Sequence, residues 1–496
     1  MGHRFQIFLM SLATFGRILL CTSFAQGLFE TPDRDYRNEM ERNLLLGDSE
    51  HPYFMGFFPT SFEGVDTPHH RTHATLGVTF AAFHESPSTL TVIGTPKLPV
   101  KQRSLLDGSE GLNPPSGQNT WASLEGTWKP TDWLFASSTI HGGSQLGGPH
   151  GFSDAWYHLQ QLYLEARFHK FVLSAGRKPL YWGQSFVAPM LISDNAKSLD
   201  LLEVSTLPQR WPSFLRYLGD LKTEIFFSRM NSNREPQHDE FVGWRVGITP
   251  FDFFEANAAL IYQIGGDGLP NTSASDTFVE IMGARASKGQ GIDDTSYVTN
   301  RSAGFDFRFN FKNFEWPFSI YSEHHLEDCC GWKNIIFRSY SYLYGGYLRT
   351  GKSISDSEWR FEYVKTSTKT FVNTRWPSSF SNDGILITHP IGRDAEGVYL
   401  KWSERILPEV ECEAVGFWEV RDRRGEYDRF DIRLFRPSFQ ESEKTFGITP
   451  AIKRYFASDA GNIRFSVASF KVLNKENQGG RNPWEWGGLL SFSKTF

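Results

Sequence analysis

The sequence predicts an all-β fold, a transmembrane antiparallel β-barrel, and three observations indicate it. Aromatic residues make up 15% of the 496 residues, yet the mean hydropathy is −0.39. The run 305–312 alternates four Phe with four polar residues, which gives a strand one apolar and one polar face. Leu490, Phe492 and Phe496 repeat at even spacing, which is typical of the last strand of an outer-membrane barrel. We therefore expect the aromatic faces to contact lipid and the polar faces to line the lumen.

The chain divides into three predicted segments. Residues 1–25 predict a signal peptide, because a basic start precedes an apolar run and small residues at 23–25. Residues 26–70 predict an N-terminal helical cap on the periplasmic side, because apolar residues recur every four positions across 36–44. Residues 71–496 then form the outer-membrane barrel.

The barrel is long enough for about 16–18 strands, if each tilted strand takes ~9–11 residues plus its connection. Alternation is lost near residues 182–212, where Pro189, Pro208 and Pro212 would each remove a donor from a sheet ladder. We therefore expect an irregular insert near 182–212, packed inside the barrel.

Composition and motifs exclude several classes of function. The net charge of −5 does not indicate nucleic-acid binding, and no run approaches the ~18 apolar residues of a spanning helix. The sequence has no nucleophile elbow, zinc-protease motif or phosphate-binding glycine loop, so we expect no enzyme and no cofactor. A barrel-embedded lipid hydrolase stays open, because it needs only a scattered Ser, His and acid.

The densest group of potential metal ligands is the run 323–330, which contains Glu323, His324, His325, Cys329 and Cys330. Neighbouring residues of a strand point to opposite faces, so few of these side chains could share one ion. We therefore predict a polar loop or lumen wall here, and no metal site.

The loop before the last strand is the candidate for sugar binding. The C-terminus of such a barrel normally lies on the periplasmic side, so this loop is expected outside. It contains Asn477, Gln478, Arg481 and Trp484, and sugars need polar groups for their hydroxyls and aromatic faces for their rings. An ordinary solvated loop is the alternative for these four residues.

The central block 181–197 reads YWGQSFVAPMLISDNAK. With Trp182, Gly183, Ser193, Asn195, Ala196 and, further on, Arg245, this block resembles the Wzi-type capsule-assembly family of outer-membrane proteins. The chain departs from the family where Tyr181 precedes Trp182, since the family often has two adjacent tryptophans.

The resemblance implies a monomeric outer-membrane barrel of about eighteen strands, with short helical and irregular segments closing the periplasmic side. It also implies a lectin-like role without catalysis, in which capsular or exopolysaccharide is bound and helped to attach or assemble at the cell surface. The expected partners are this polysaccharide, outer-membrane lipid and the barrel-assembly machinery, which would recognise the strand that ends at Phe496. A porin for small solutes is the alternative function.

Overall fold

The structure, a computed structural model, contains a closed antiparallel barrel of 18 long strands. It describes residues 41–42, 44–46, 55, 73–83, 89–91, 99–101, 117–146, 155–210, 213–269, 299–327, 341–351, 353, 356–367, 370–371, 373, 376–421, 441–456, 461–475 and 479–495. The predicted signal peptide and most of the predicted cap lie outside these residues. The fold class is confirmed, and the strand number lies at the upper end of the expected range.

The strands follow one another along the chain as hairpins. They are β1 (His73–Phe83), β2 (Thr89–Thr91), β3 (Pro99–Lys101), β4 (Gly117–Thr131), β5 (Leu134–Leu146), β6 (Ala155–Phe168), β7 (Phe171–Lys178), β8 (Leu199–Thr206), β9 (Gln209–Arg210), β10 (Asp220–Arg229), β11 (Glu240–Phe251), β12 (Phe254–Ile264), β13 (Thr299–Phe311), β14 (Phe318–Glu327), β15 (Ser341–Arg349), β16 (Glu358–Lys365), β17 (Ser381–Asn382), β18 (Ile385–Leu386), β19 (Glu396–Leu407), β20 (Val410–Arg421), β21 (Glu443–Tyr455), β22 (Gly461–Leu473) and β23 (Trp484–Thr495). A 3-10 helix covers Ser213–Leu218, and residues 41–42 and 44–46 are α-helical.

The barrel closes between the first and the last strand. β1 pairs with β23 from Thr75↔Thr495 to Phe83↔Gly487, and its other edge pairs with β4. Closure satisfies the backbone groups of every barrel strand and leaves no open sheet edge in the hydrocarbon layer. The short strands β2, β3, β17 and β18 form a separate four-stranded sheet.

The outer wall is apolar and the inner wall is polar. On β13, Asp306, Arg308 and Asn310 are buried inside, while the phenylalanines between them lie on the outer face, as predicted. Exposed apolar side chains surround the barrel, among them Phe80, Leu124, Ile140, Leu164, Leu202, Ile225, Phe227, Ile320, Phe361, Trp418, Phe465 and Leu490. Such a surface is stable in lipid and not in water, so the chain is an outer-membrane β-barrel.

The two ends of the barrel differ in their connections. Tight turns at 132–133, 169–170, 252–253 and 408–409 lie at the end where β1 begins and β23 stops. The long connections lie at the other end, so the first end is periplasmic and the second faces outward. Among the helical residues that the structure describes, none belongs to a helix long and apolar enough to span a membrane.

The irregular insert is shorter than the sequence suggested. It covers residues 179–198, and β8 follows it as an ordinary barrel strand with alternating burial. Leu199 and Leu201 face inward and pack against the insert, so apolar residues occur on both faces of the first half of β8 and the alternation is hidden. The insert joins the outer ends of β7 and β8, so it enters the lumen from the outer side, and it packs inside the barrel as expected.

Candidate functional site in the lumen and at the outer mouth

The plug loop, residues 179–198, folds into the lumen and contacts strands far from β7 and β8. The Trp182 indole donates to Glu224 Oε2 on β10 over 2.7 Å. The side-chain amide of Gln184 donates to Asp306 Oδ1 on β13 over 2.7 Å. Inward-facing acids of several strands therefore hold the loop across the barrel.

Two wall carboxylates, Glu323 on β14 and Glu362 on β16, hold the backbone of the plug loop. Together they accept five of its N–H groups over 2.6–3.3 Å. The donors to Glu323 are Gln184, Ser185 and Met190, and the donors to Glu362 are Phe186 and Val187. An irregular buried backbone must find such partners, since it has neither water nor a ladder neighbour.

Close approach of the plug loop to Glu323 depends on Gly183. Its φ is +154°, and a Cβ at this position would lie 2.6 Å from Glu323 Oε2. Nearby, Arg245 pairs with Asp306 at 2.6 Å, and both side chains are buried. The guanidinium therefore compensates part of the negative charge that surrounds the loop.

The apolar side chains of the plug loop form a core inside the barrel. The ring centroid of Trp182 lies 5.2 Å from that of Phe226, nearly edge-on. Leu191 and Ile192 belong to the same buried cluster, and so does Ala196. The loop is thus packed as a protein interior is packed, which favours one fixed conformation.

A second connection, the cover loop (residues 376–395, between β16 and β19), lies against the plug loop. The Ser193 N–H donates to the Ile387 carbonyl over 2.7 Å, and its hydroxyl donates to the Thr388 carbonyl over 2.8 Å. The Asn195 side-chain amide donates to the Leu386 carbonyl over 2.9 Å. Ser193 and Asn195 therefore join two loops that are distant in sequence.

The cover loop ends in a tight turn at the outer mouth. Asp383 and Gly384 have φ values of +49° and +77°, as a two-residue hairpin between β17 and β18 requires. Asp383 pairs with Lys197 over 3.1 Å and accepts from the Asn231 amide over 2.9 Å. Partial burial by itself would raise the pKa of Asp383, but the Asn231 hydrogen bond and the Lys197 charge hold that pKa below its ordinary value. Together with Asn233, which also hydrogen-bonds Asp383, these residues form the mouth cluster: Lys197, Asn231, Asn233 and Asp383.

Arg234 anchors the mouth cluster from below. It pairs with Asp239 over 2.6 Å, donates to the Ser379 carbonyl over 2.8 Å and also donates to the Ser381 carbonyl. Its guanidinium lies 5.3 Å from the ring centroid of Phe241. The turn at Asp383 is thus supported by a buried, ion-paired side chain whose partners come from two loops.

The periplasmic end of the lumen holds part of the N-terminal segment. Glu41 pairs with both Arg308 and Arg360, and all three side chains are buried. Arg42 pairs with Glu358 over 2.6 Å. Buried arginines without a partner would be costly, so the inner wall and this helical segment complement each other.

The structure brings together the six motif residues taken from the resemblance. All are buried on the plug loop or, in the case of Arg245, on the wall beside it: Trp182, Gly183, Ser193, Asn195, Ala196 and Arg245. Their contacts assign them to positioning the loop in the lumen.

The loop predicted for sugar binding is placed apart from the motif residues. Asn477 and Gln478 lie outside the described residues. Arg481 is exposed, and its carbonyl accepts the Lys475 N–H over 2.8 Å. Trp484 begins β23 and is 58% exposed on the outer wall. Its ring is therefore turned towards lipid and away from the lumen.

Sequence analysis missed the acids that hold the plug loop. Glu323 was considered only beside His324 and His325, whose side chains take opposite faces of β14. His324 stacks outside on Phe305 at 4.7 Å, and His325 lies inside within 2.5 Å of the Ser302 hydroxyl. Alternation separates Glu323 from His324 by placing the two side chains on opposite faces of β14. It cannot show that Glu323 binds the plug loop, because that loop is far away in sequence.

Comparison with known proteins agrees with this architecture. The family described as capsule assembly protein Wzi matches residues 100–482. The uncharacterised 55.8 kDa protein in the cps region of Klebsiella pneumoniae is 28% identical over 198 residues, 38% of this chain. The match spans 37% of that relative's length.

Among solved structures, Escherichia coli Wzi has a TM-score of 0.62 and is 16% identical; the alignment covers 93% of this chain and 98% of that protein. It is an outer-membrane protein involved in group 1 capsule assembly and a carbohydrate-binding β-barrel. The structural similarity shows a shared fold, and the match across residues 100–482 shows that this chain belongs to the Wzi capsule assembly protein family.

Proposed function

We propose that this protein binds capsular or exopolysaccharide at its outer mouth and helps to attach or assemble it at the cell surface, without catalysing a reaction. The observation that carries the proposal is the filled lumen. The plug loop and the cover loop close the passage, so the outer mouth is the surface that the barrel presents to the exterior. Family membership and the carbohydrate binding of E. coli Wzi support the choice of ligand.

The mouth cluster has the chemistry that a polysaccharide requires. Asn231 and Asn233 provide amide donors and acceptors for hydroxyl groups, and Lys197 provides a charge for the carboxylates of an acidic sugar. The side chains of Lys197 and Asp383 are 25% and 32% exposed, so solvent and a ligand reach both. Because buried contacts fix the turn beneath them, these groups are held in place before a ligand arrives.

The loop predicted from sequence stays a second proposed contact, through Asn477, Gln478, Arg481 and Trp484. The position of this loop at the outer end of the barrel supports this role for Arg481. Trp484 fits the role least, since its ring lies on the lipid-facing wall.

A binding experiment with the purified protein in detergent tests the proposal. The probe is polysaccharide released from the surface of the native cells. We expect the double variant K197Q/N233A to bind about tenfold more weakly, as the loss of one or two good polar contacts predicts. The matched control is Asp132→Asn, which changes an exposed acid in a periplasmic turn and should leave binding unchanged.

The outcomes separate the two levels of the proposal. If the unaltered protein fails to bind the polysaccharide, the function is wrong. If it binds but K197Q/N233A binds equally well, the mouth cluster is not the site, and Arg481→Gln then tests the neighbouring loop. In cells, deletion of the protein should release polysaccharide into the medium while its synthesis continues.

The remaining partners follow from the architecture. We propose a monomer, because the closed barrel offers no strand edge to a second copy. We also propose that the barrel-assembly machinery recognises the last strand and Phe496. The alternative of a porin for small solutes is opposed by the packed plug loop, and planar-bilayer conductance tests it below.

A further inference from the structure

Two lysines stand side by side on the outer wall, near the outer rim, and none of their register partners on the described strands is acidic. Lys444 is exposed on β21, and its register partners are Val420 on β20 and Leu473 on β22. Lys471 on β22 lies opposite Phe446 and Trp484. Both lysines occupy outward positions two residues apart in register, a diagonal separation that long side chains can bridge.

Other outward cations near this rim are arranged differently. Three of them face a carboxylate across the strand pair: Arg177 opposite Asp200, Arg229 opposite Glu240, and Lys365 opposite Glu396. The Arg177 pair closes at 2.7 Å. An acid therefore faces the cation at these three positions, whereas β21 and β22 concentrate two positive charges among apolar register partners.

An aromatic platform lies beside the two lysines. Trp484 and Trp486 are 58% and 47% exposed on the same outward face. The ammonium of Lys471 lies 5.4 Å from the centroid of the Trp484 ring and donates to the Asn482 carbonyl. Leu490 and Phe492 continue the face towards the periplasm. Tryptophans in this position mark the boundary between the hydrocarbon layer and the headgroups.

We propose that Lys444 and Lys471 bind the phosphate groups of an outer-leaflet glycolipid whose acyl chains pack below on Trp484, Trp486 and Leu490. An ammonium is a point charge with three donors, and Lys471 uses one of them on Asn482. Both lysines lie near the outer ends of their strands, which is the level at which the phosphates of outer-leaflet lipids are expected. This lipid site goes beyond polysaccharide binding at the mouth.

The position of the patch selects a lipid as the ligand. Both lysines are on the lipid-facing side of barrel strands, and apolar side chains surround them there. A lysine at the membrane midplane would be costly, but at the interface the cost is close to zero and an anionic headgroup makes it favourable. A polysaccharide without acyl chains has no apolar part that could pack on the exposed Trp484 and Leu490 side chains.

The test uses the full chain in detergent and native mass spectrometry. The probes are a bisphosphorylated lipid A and the same lipid after removal of both phosphates. We expect the unaltered protein to retain the phosphorylated form, and K444Q/K471Q to bind it about thirtyfold more weakly. Lys365→Gln is the matched control, because it removes an outward cation of the same rim that faces an acid, and it should retain the lipid.

Three results would overturn the proposal. The first is equal retention of the phosphorylated and dephosphorylated lipids. The second is unchanged binding by K444Q/K471Q, once its barrel is shown to be folded by heat-dependent gel mobility. The third is full displacement of the lipid by inorganic phosphate or by a lipid-free acidic polysaccharide at matched anion concentration, which would assign the patch to a soluble anion.

Discussion

At the scale of the single residue, the plug loop depends on a residue without a side chain. We expect Gly183→Ala to lower the free energy of unfolding by about 1–3 kcal/mol, because a Cβ at φ +154° would lie 2.6 Å from Glu323 Oε2. Urea titration of the purified barrel, followed by gel mobility, measures the change. Gly142→Ala is the control, since a Cβ there meets nothing within 4 Å. Equal stability of both variants would contradict the role given to Gly183.

A second residue makes stability depend on pH. His389 is fully buried in the cover loop, and its Nδ1 accepts the Ile391 N–H over 3.1 Å, which requires a neutral ring. Burial lowers the pKa of His389 to about 3 from an ordinary value near 6.5. Between pH 6.5 and pH 3 the unfolded chain therefore binds a proton at His389 that the folded chain does not bind. The stability that the neutral ring contributes is complete above pH 6.5 and is lost as the pH falls through this range.

The measurement compares the unaltered protein with His389→Gln, whose side chain does not titrate. Between pH 6 and pH 4 we expect the difference in their free energies of unfolding to change by about 1.4 kcal/mol per pH unit, to the disadvantage of the unaltered protein. His169→Gln, in an exposed turn, should follow the unaltered protein. Parallel curves for His389→Gln and the unaltered protein would show that the cover loop tolerates the charge.

At the scale of the element, the plug loop is held more by the wall than by itself. It has no ladder of its own beyond a bridge between Trp182 and Ile192 among the described residues. Glu323 and Glu362 accept five of its backbone N–H groups, and each buried donor left without a partner costs about 1–3 kcal/mol. Removal of both carboxylates should therefore release the loop while the barrel strands keep their ladders.

Planar-bilayer conductance tests the sealing of the lumen. The unaltered protein should show negligible conductance, because the plug loop and the cover loop pack into one core. E323A/E362A should conduct, since an 18-stranded barrel without its filling leaves an aqueous passage. Glu413→Ala, which removes a wall acid that pairs with Lys401 away from the loop, should stay closed. A conducting unaltered protein would favour the porin alternative.

At the scale of the whole molecule, alternation in the sequence predicted the barrel because each strand has a lipid face and a lumen face. It succeeded on β13, where Phe and polar residues alternate without interruption. It failed on β8, where the inward-facing Leu199 and Leu201 are apolar because they pack on the plug loop. Periodicity indicates the face of the sheet on which a residue lies, but it cannot indicate that part of the lumen is filled by apolar side chains.

The candidate site was harder to predict for a related reason. The resemblance found Trp182, Ser193 and Asn195, but their partners come from β10 and from the cover loop, which no local pattern connects. Asn231 and Asp383 of the mouth cluster are 152 positions apart and meet only after the barrel has closed. For the polar loop 474–484, the sequence indicates only that it lies at the outer end of the barrel, and its residues Asn477 and Gln478 lie outside the described part of the chain.

The seam between β1 and β23 has a consequence for biogenesis. The ribosome makes β1 before any other barrel strand, yet one of its neighbours is the strand made last. The barrel cannot close until the whole chain has been exported. Until then, every nascent or truncated form has two unpaired sheet edges that can pair with a strand of another chain. A chaperone must therefore shield both unpaired strand edges during transit. A stop codon before residue 484 would produce an open sheet with exposed edges instead of a smaller closed barrel.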